Sequence, residues 1–169
     1  MSQTKKPLAS IIIVNFNNAK YLEKSLNSVL SQSYKNKEII VIDDISKDKS
    51  LEILKKYKKI IKYYVNKTKT NYGSYNQINS YYKGILKSKG KYLFLLDSDD
   101  FFNKHKIELV VKKFQEDKSN KVLFDLPIIK FQNKIVKNKF LQKKFLLSSW
   151  PRFTPQSCIS IEKKYALKV

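Results

Sequence analysis

Four oxygen-rich side chains stand together at Asp97-Ser98-Asp99-Asp100, directly behind the apolar run Tyr92-Leu-Phe-Leu-Leu96. Carboxylates this close raise one another's pKa and weaken a fold unless something pairs with them. A hard divalent cation removes that cost. Mg2+ and Mn2+ favour carboxylate and water oxygens, and Mg2+ sites often combine one or two carboxylates with substrate phosphates. Asp97 and Asp99 are two residues apart, so in an extended turn they can point the same way. One can then hold the metal, and the other a sugar hydroxyl or a second coordination position. A structural role competes: Asp99 or Asp100 can cap a helix that begins near Asn103.

A second acidic pair, Asp43-Asp44, follows the apolar run Ile39 to Ile42. Acidic residues there favour the positive end of a following helix. They can equally accept from the imide N–H of uracil or from a ribose hydroxyl. Asn15 and Phe16 follow a third apolar run, Leu8 to Val14. They can be turn residues, or Phe16 can stack on a base while nearby backbone reads its edge.

These groups need strands to place them. Leu8 to Val14, Lys37 to Ile42, Ile60 to Val65, Tyr92 to Leu96 and Val122 to Leu126 have the length and apolar content of buried strands. Helices are expected over about Ala19 to Ser31, from Lys47, over Tyr75 to Ser88 and over Ile107 to Phe114. Asn17 or Asn18 is the expected cap of the first helix and Ser46 that of the second. Gly90 is placed to end the third. Beyond Pro127 a strand near Ile128 to Gln132, a helix near Lys139 to Leu147 and a strand near Cys158 to Ile161 are expected. This alternation implies one α/β domain, an α/β/α sandwich around a mostly parallel sheet. Such sheets bind ligands beyond the carboxyl ends of their strands. Asn15, Asp43-Asp44 and the run from Asp97 would then share one edge.

Other chemistries lack their residues. No Gly-x-Gly-x-x-Gly follows the first strand, and no Gly-x-x-x-x-Gly-Lys-Ser/Thr occurs. His105 is the only histidine and Cys158 the only cysteine, which excludes a disulfide framework and argues against zinc. Formal net charge is +21, from 35 Lys+Arg against 14 Asp+Glu in 169 residues. A polyanion partner is one reading of that charge. Of the basic residues all but Arg152 are lysine. A reader of phosphates or bases is expected to use arginine forks. No specific nucleic-acid partner is therefore expected. No stretch approaches the ~20 apolar residues of a membrane span, and Met1 to Pro7 has the wrong character for a signal peptide. The expected location is the cytoplasm, with peripheral contact at the inner membrane face through the excess charge.

Five blocks carry a resemblance: Ser10-Ile-Ile-Ile-Val-Asn-Phe-Asn17, Leu26 to Gln32, Ile42-Asp-Asp-Ile-Ser-Lys-Asp-Lys-Ser50, Asn71-Tyr-Gly73, and Gly90 to Asp100. In this order and spacing the chain resembles the family 2 glycosyltransferases of the GT-A (Rossmann-like) fold, from about residue 8 to 115. The resemblance implies inverting transfer of a sugar from a nucleotide-diphosphate donor, usually a UDP-sugar, to a glycan or lipid-linked acceptor in surface polysaccharide synthesis. It puts Val14, Phe16 and Asp44 at the base, with Asn15, Asp43 and Ser98 beside the nucleotide. Asp97 matches a carboxylate near the ribose or sugar that also serves the metal. Asp99 matches the ligand of the Mn2+ or Mg2+ that bridges the diphosphate. Two departures stand out. Many relatives carry Arg-Asn where this chain has Tyr81-Tyr82, and Lys83 is a nearby cation that can substitute. The general base of such enzymes is a downstream Asp or Glu. Asp125 and Glu162 lack its context, so the base is expected beyond Val169 and the domain is expected to be incomplete at its C-terminus. A nucleotide-sugar binder without catalysis is the alternative that follows.

Overall fold

The computed structural model describes residues 6–125, 128–131, 134–136 and 156–168. In chain order the elements are β1 (Ala9–Asn15), α1 (Ala19–Leu30), β2 (Lys37–Asp43), α2 (Ser50–Tyr57), β3 (Lys62–Val65), α3 (Gly73–Lys87), β4 (Tyr92–Asp97) and α4 (Lys106–Glu116). Then come β5 (Val122–Phe124), β6 (Ile129–Phe131), β7 (Lys134–Val136), a 3-10 turn at Gln156–Cys158, β8 (Ile159–Glu162) and α5 (Lys163–Ala166). Among the described residues the strand expected near Ile128 pairs with β7 alone, antiparallel and apart from the main sheet. The helix expected near Lys139 to Leu147 lies outside the described residues.

Six strands form the main sheet in the order β3-β2-β1-β4-β8-β5. The first four are parallel, and β8 runs antiparallel to both β4 and β5. Side chains alternate between two covered faces. Ile11 and Ile13 pack with Leu22 and Leu26 of α1, Leu54 of α2, and Ile107 and Phe114 of α4. Ile12 and Val14 pack on the other face with Tyr81 and Ile85 of α3. Burial on both faces is why β1 reads as an unbroken apolar run rather than an alternation. Each fully buried Ile, Leu or Phe contributes about 1.5–3 kcal/mol relative to exposure.

Two glycines act through close approach. A Cβ on Gly84 would collide with Ile12 Cγ2, so this glycine lets α3 lie directly on β1. Gly90 is not the left-handed helix cap the sequence suggested, because no glycine has positive φ. Its N–H donates to Ser10 Oγ at 2.8 Å, and a Cβ there would sit 2.7 Å from the Ser10 nitrogen.

The expected caps also differ. Neither Asn18 nor Lys49, which precede α1 and α2, makes a side-chain cap bond. Asp48 does both jobs from the loop between β2 and α2: its carboxylate accepts from Ala19 N at 2.8 Å and from Ser50 N at 3.0 Å. Asp99 and Asp100 cap nothing, since α4 begins at Lys106 and His105 before it makes no side-chain cap bond. With that structural role gone, the acidic run needs another explanation.

Candidate functional site

The carboxyl ends of β2, β1 and β4 are tied together by backbone bonds. Asp44 N donates to Asn15 O at 2.8 Å, and Ser98 N to Val14 O at 3.1 Å. The sheet order reverses between β1 and β4, because β2 leaves on one side of β1 and β4 lies on the other. Crevices form at such a switch point. Here a cavity of about 290 Å³ opens, and Val14, Phe16, Asp44, Asp97, Ser98 and Asp99 all line it. Residues far apart in sequence are thus brought to one wall by strand register. Asn15 and Asp43 do not line it.

Asn15 and Asp43 form a buried clamp instead. Asn15 Nδ2 donates to Asp43 Oδ2 at 2.8 Å. Ser46 donates to Asp43 through its backbone N–H at 2.8 Å and its hydroxyl at 2.7 Å. The clamp holds Ile45 at φ 60, a region that β-branched residues rarely occupy. That backbone strain is compensated by the three bonds to Asp43, and the turn they fix delivers Asp44 to the cavity. Ser46, expected as a helix cap, is spent on this turn.

Asp44 is one end of a second network. Asn66 Nδ2 donates to Asp44 Oδ1 at 2.8 Å and to Ser80 Oγ at 2.9 Å. Lys83 Nζ donates to Asn66 Oδ1 at 3.0 Å, so this lysine is engaged behind the wall. Lys69 is the cation in the cavity. It lies 3.9 Å from Asp44 Oδ2 and 3.1 Å from the centroid of the Phe16 ring. Asn76 on α3 fixes the loop that carries it, accepting from Thr70 N at 3.0 Å and donating to Thr70 O at 2.8 Å.

Asp97 is held from α3. Gln77 Nε2 and Tyr81 Oη donate to the same oxygen, Oδ1, at 2.8 and 2.7 Å. Oδ2 takes no hydrogen bond among the described residues. Gln77, Tyr81 and Gly84 fall at spacings of four and three, on one helix face, and the Gly84 contact with Ile12 brings that face down. Burial pushes the Asp97 carboxyl above the usual carboxylate range, with Asp99 and Asp100 adding to the effect and the two donors opposing it. Burial and the neighbouring Asp97 charge push the Tyr81 hydroxyl well above its ordinary value, so it stays a donor. Asn18 Nδ2 donates to Ser98 Oγ at 3.0 Å and joins α1 to the same wall.

The site can hold an anion and a cation together. Gly73, the first residue of α3, lines the cavity, and backbone N–H groups at a helix start attract phosphate. Asp97 and Asp99 line the same cavity. Among the described residues no three His, Cys, Asp or Glu side chains form a metal cage. Two carboxylates suit Mg2+ or Mn2+ when phosphate oxygens and water complete the shell. Among the described residues no cationic side chain is bonded to Asp97, so only the Gln77 and Tyr81 donors offset its charge.

Asn66, Lys69 and Gln77 are site residues that the sequence reading missed, and Tyr81 stands out there only as a departure from the arginine of many relatives. For Gln77 and Tyr81, the i, i+4 spacing before a glycine was the available signal. Neither Asp125 nor Glu162 is free: Lys106 lies 2.9 Å from Asp125, and Lys121 lies 3.2 Å from Glu162.

Residues 10–157 match the model of the glycosyl transferase family 2. The putative teichuronic acid biosynthesis glycosyltransferase TuaG of Bacillus subtilis is 38% identical over 104 residues, which cover 61% of this chain and 40% of that protein. The poly(ribitol-phosphate) beta-N-acetylglucosaminyltransferase TarP of Staphylococcus aureus is 33% identical over 118 residues, covering 68% of this chain and 35% of TarP. The crystal structure of S. aureus TarS 1-349 superposes with a TM-score of 0.73 at 21% identity, covering 95% of this chain and 48% of that one. TarS has also been solved with UDP and with UDP-GlcNAc. This chain thus spans less than half the length of these relatives. With residues 10–157 matched by the family model, the chain belongs to glycosyltransferase family 2.

Proposed function

We propose that this chain binds a UDP-sugar with Mg2+ or Mn2+ and forms the donor side of an inverting glycosyltransferase. The observation that carries this reading is the meeting of Phe16, Asp44, Asp97, Asp99 and the start of α3 in one cavity. Uracil stacks on Phe16, and Asp44 accepts from its imide N–H. Asp97 presents Oδ2 to a ribose or sugar hydroxyl or to the cation, because Gln77 and Tyr81 occupy Oδ1. Asp99 and Asp97 would hold the metal, which when bound stabilises charge on the departing diphosphate. The first-turn N–H groups of α3 supply positive potential at the diphosphate, whereas Lys69 lies against Phe16 and Asp44 at the base end.

The acceptor is a glycan or lipid-linked hydroxyl, and its proton must go to a general base. We assign that base to residues beyond Val169, in keeping with the shorter span of this chain relative to its relatives. The pairing of Asp125 and Glu162 with lysines favours a second reading, a donor-binding unit without turnover by itself.

Thermal unfolding with UDP and Mn2+ tests the site. Stabilisation grows with ligand concentration where binding is specific to the native state. Asp99→Ala is expected to remove the Mn2+-dependent part of the shift. An unchanged shift in Asp99→Ala sinks the assignment. Acceptor-dependent UDP release by the 169-residue chain would eliminate the second reading.

A further inference from the structure

Helix α3 has a buried inner side and an apolar outer side. Its inner side is buried through Tyr81 and Gly84. On its outer side Tyr75, Ile78, Tyr82 and Leu86 follow at spacings of three, four and four. They are 58%, 65%, 53% and 54% exposed. At about 100° per residue these four stack in one narrow stripe, opposite Gly84. Tyr72, just before the helix, is also exposed. A contiguous exposed apolar stripe on an otherwise lysine-rich surface marks a docking face.

The charge around it selects the partner. From Ile60 to Leu96 the chain has seven lysines and not one aspartate or glutamate. This stretch holds β3, at the edge of the sheet, and the whole of α3. Lys87 Nζ lies 5.3 Å from the ring of Tyr64 on β3, so lysine flanks the stripe on that side. We propose that the outer face of α3 docks on an anionic lipid surface, with Ile78 and Leu86 entering the acyl boundary. Tyrosines suit the interface because one end is apolar and the other polar. Lysine stems lie along apolar surface while their ammonium groups reach the headgroups. A second copy of the chain fits badly, since it would set one acid-free stretch against another. A nucleic acid would leave Ile78 and Leu86 without a partner. The proposal stands independently of the donor chemistry, although the inner side of the same helix holds Asp97.

Vesicle co-sedimentation of the 169-residue chain tests it. Vesicles containing phosphatidylglycerol are expected to bind the chain, and pure phosphatidylcholine vesicles to bind it far less. Ile78→Asp with Leu86→Asp is expected to lower binding to anionic vesicles roughly tenfold or more. Leu109→Asp, an exposed site on α4 across the sheet, is expected to leave it unchanged. Tyr82→Ser is a milder probe should the double variant unfold, and it is expected to weaken binding in the same direction. Full binding by all stripe variants overturns the proposal and leaves charge alone as the cause. A stripe-dependent dimer in sedimentation velocity, or stripe-dependent binding of oligouridine RNA, without vesicle binding also overturns it. The UDP-dependent thermal shift is expected to persist in the stripe variants, so the two readings fail separately.

Discussion

The Tyr81 hydroxyl donates to Asp97 Oδ1 across 2.7 Å, joining the buried side of α3 to the end of β4. The bond steers a carboxylate in a site where many family members are expected to carry arginine. Arginine would neutralise Asp97, whereas tyrosine only orients it.

Tyr81→Phe isolates that bond. Asp97 keeps Gln77 as its donor and loses the shorter of two contacts. The expected cost to stability is about 1–2 kcal/mol, read from urea denaturation. Because the Tyr81 bond favours the charged carboxylate, the Asp97 pKa is expected to rise further. UDP binding in the presence of Mn2+ is expected to weaken, and the loss to be larger at lower pH. Affinity equal to the parent chain at every pH would show that Gln77 alone orients Asp97.

Asp97→Asn separates stability from binding. The folded pKa of Asp97 is raised above its unfolded value, chiefly by burial. Its contribution to stability is then greatest below the unfolded pKa and is lost as pH rises through the folded pKa. The amide variant is expected to be relatively more stable at neutral pH than in acid, compared with the parent chain without ligand. In the same variant the Mn2+-dependent gain from UDP is expected to vanish. Paired denaturation curves at neutral and acidic pH check the first expectation, and thermal shift checks the second. A stability difference that does not change with pH would mean that Asp97 titrates normally.

Asp43 and Asp44 are adjacent and have different tasks. Asp43 takes three hydrogen bonds from Asn15 and Ser46 and does not line the cavity at the strand ends. Asp43→Ala is expected to cost about 3 kcal/mol or more, since it strands buried donors and frees the strained turn at Ile45. Asp44→Ala is expected to cost less stability and more affinity for UDP. Melting temperature and UDP affinity, measured on both variants, should fall in opposite order. If Asp43→Ala retains the parent melting temperature, the clamp is not what fixes the turn.

This pair also shows how far sequence reading reached. Short apolar runs located β1, β2 and β4, because strands buried on both faces must be apolar throughout. The polar residues that end those strands therefore marked the site edge. Periodicity could not say which of two neighbouring aspartates turns inward, since that depends on the left-handed turn at Ile45. Nor could it find Lys69, whose loop is set by Asn76 bonds to Thr70 rather than by any pattern. The caps failed for a similar reason. Asp48 serves both α1 and α2 from a loop brought close only by the parallel pairing of β1 and β2.

Gly84 tests whether the seating of α3 sets the site. A methyl group there meets Ile12 Cγ2, a fully buried branch of β1 with no room to move. Gly84→Ala is expected to lift the helix and destabilise the fold by about 1–3 kcal/mol, despite the better helix propensity of alanine. The shift moves Gln77 and Tyr81 away from Asp97, so UDP affinity should fall beyond what unfolding alone explains. Gly73→Ala is the control for stability, because its Cβ would meet nothing within 4 Å. That variant is expected to match or slightly exceed the parent chain in denaturant. Ile12→Ala, which removes the apposed Cγ2, is expected to recover part of the affinity loss of Gly84→Ala when the double variant is compared with Ile12→Ala alone. If Gly84→Ala costs stability but binds UDP with full affinity once folded, the two donors to Asp97 do not depend on how closely α3 meets β1.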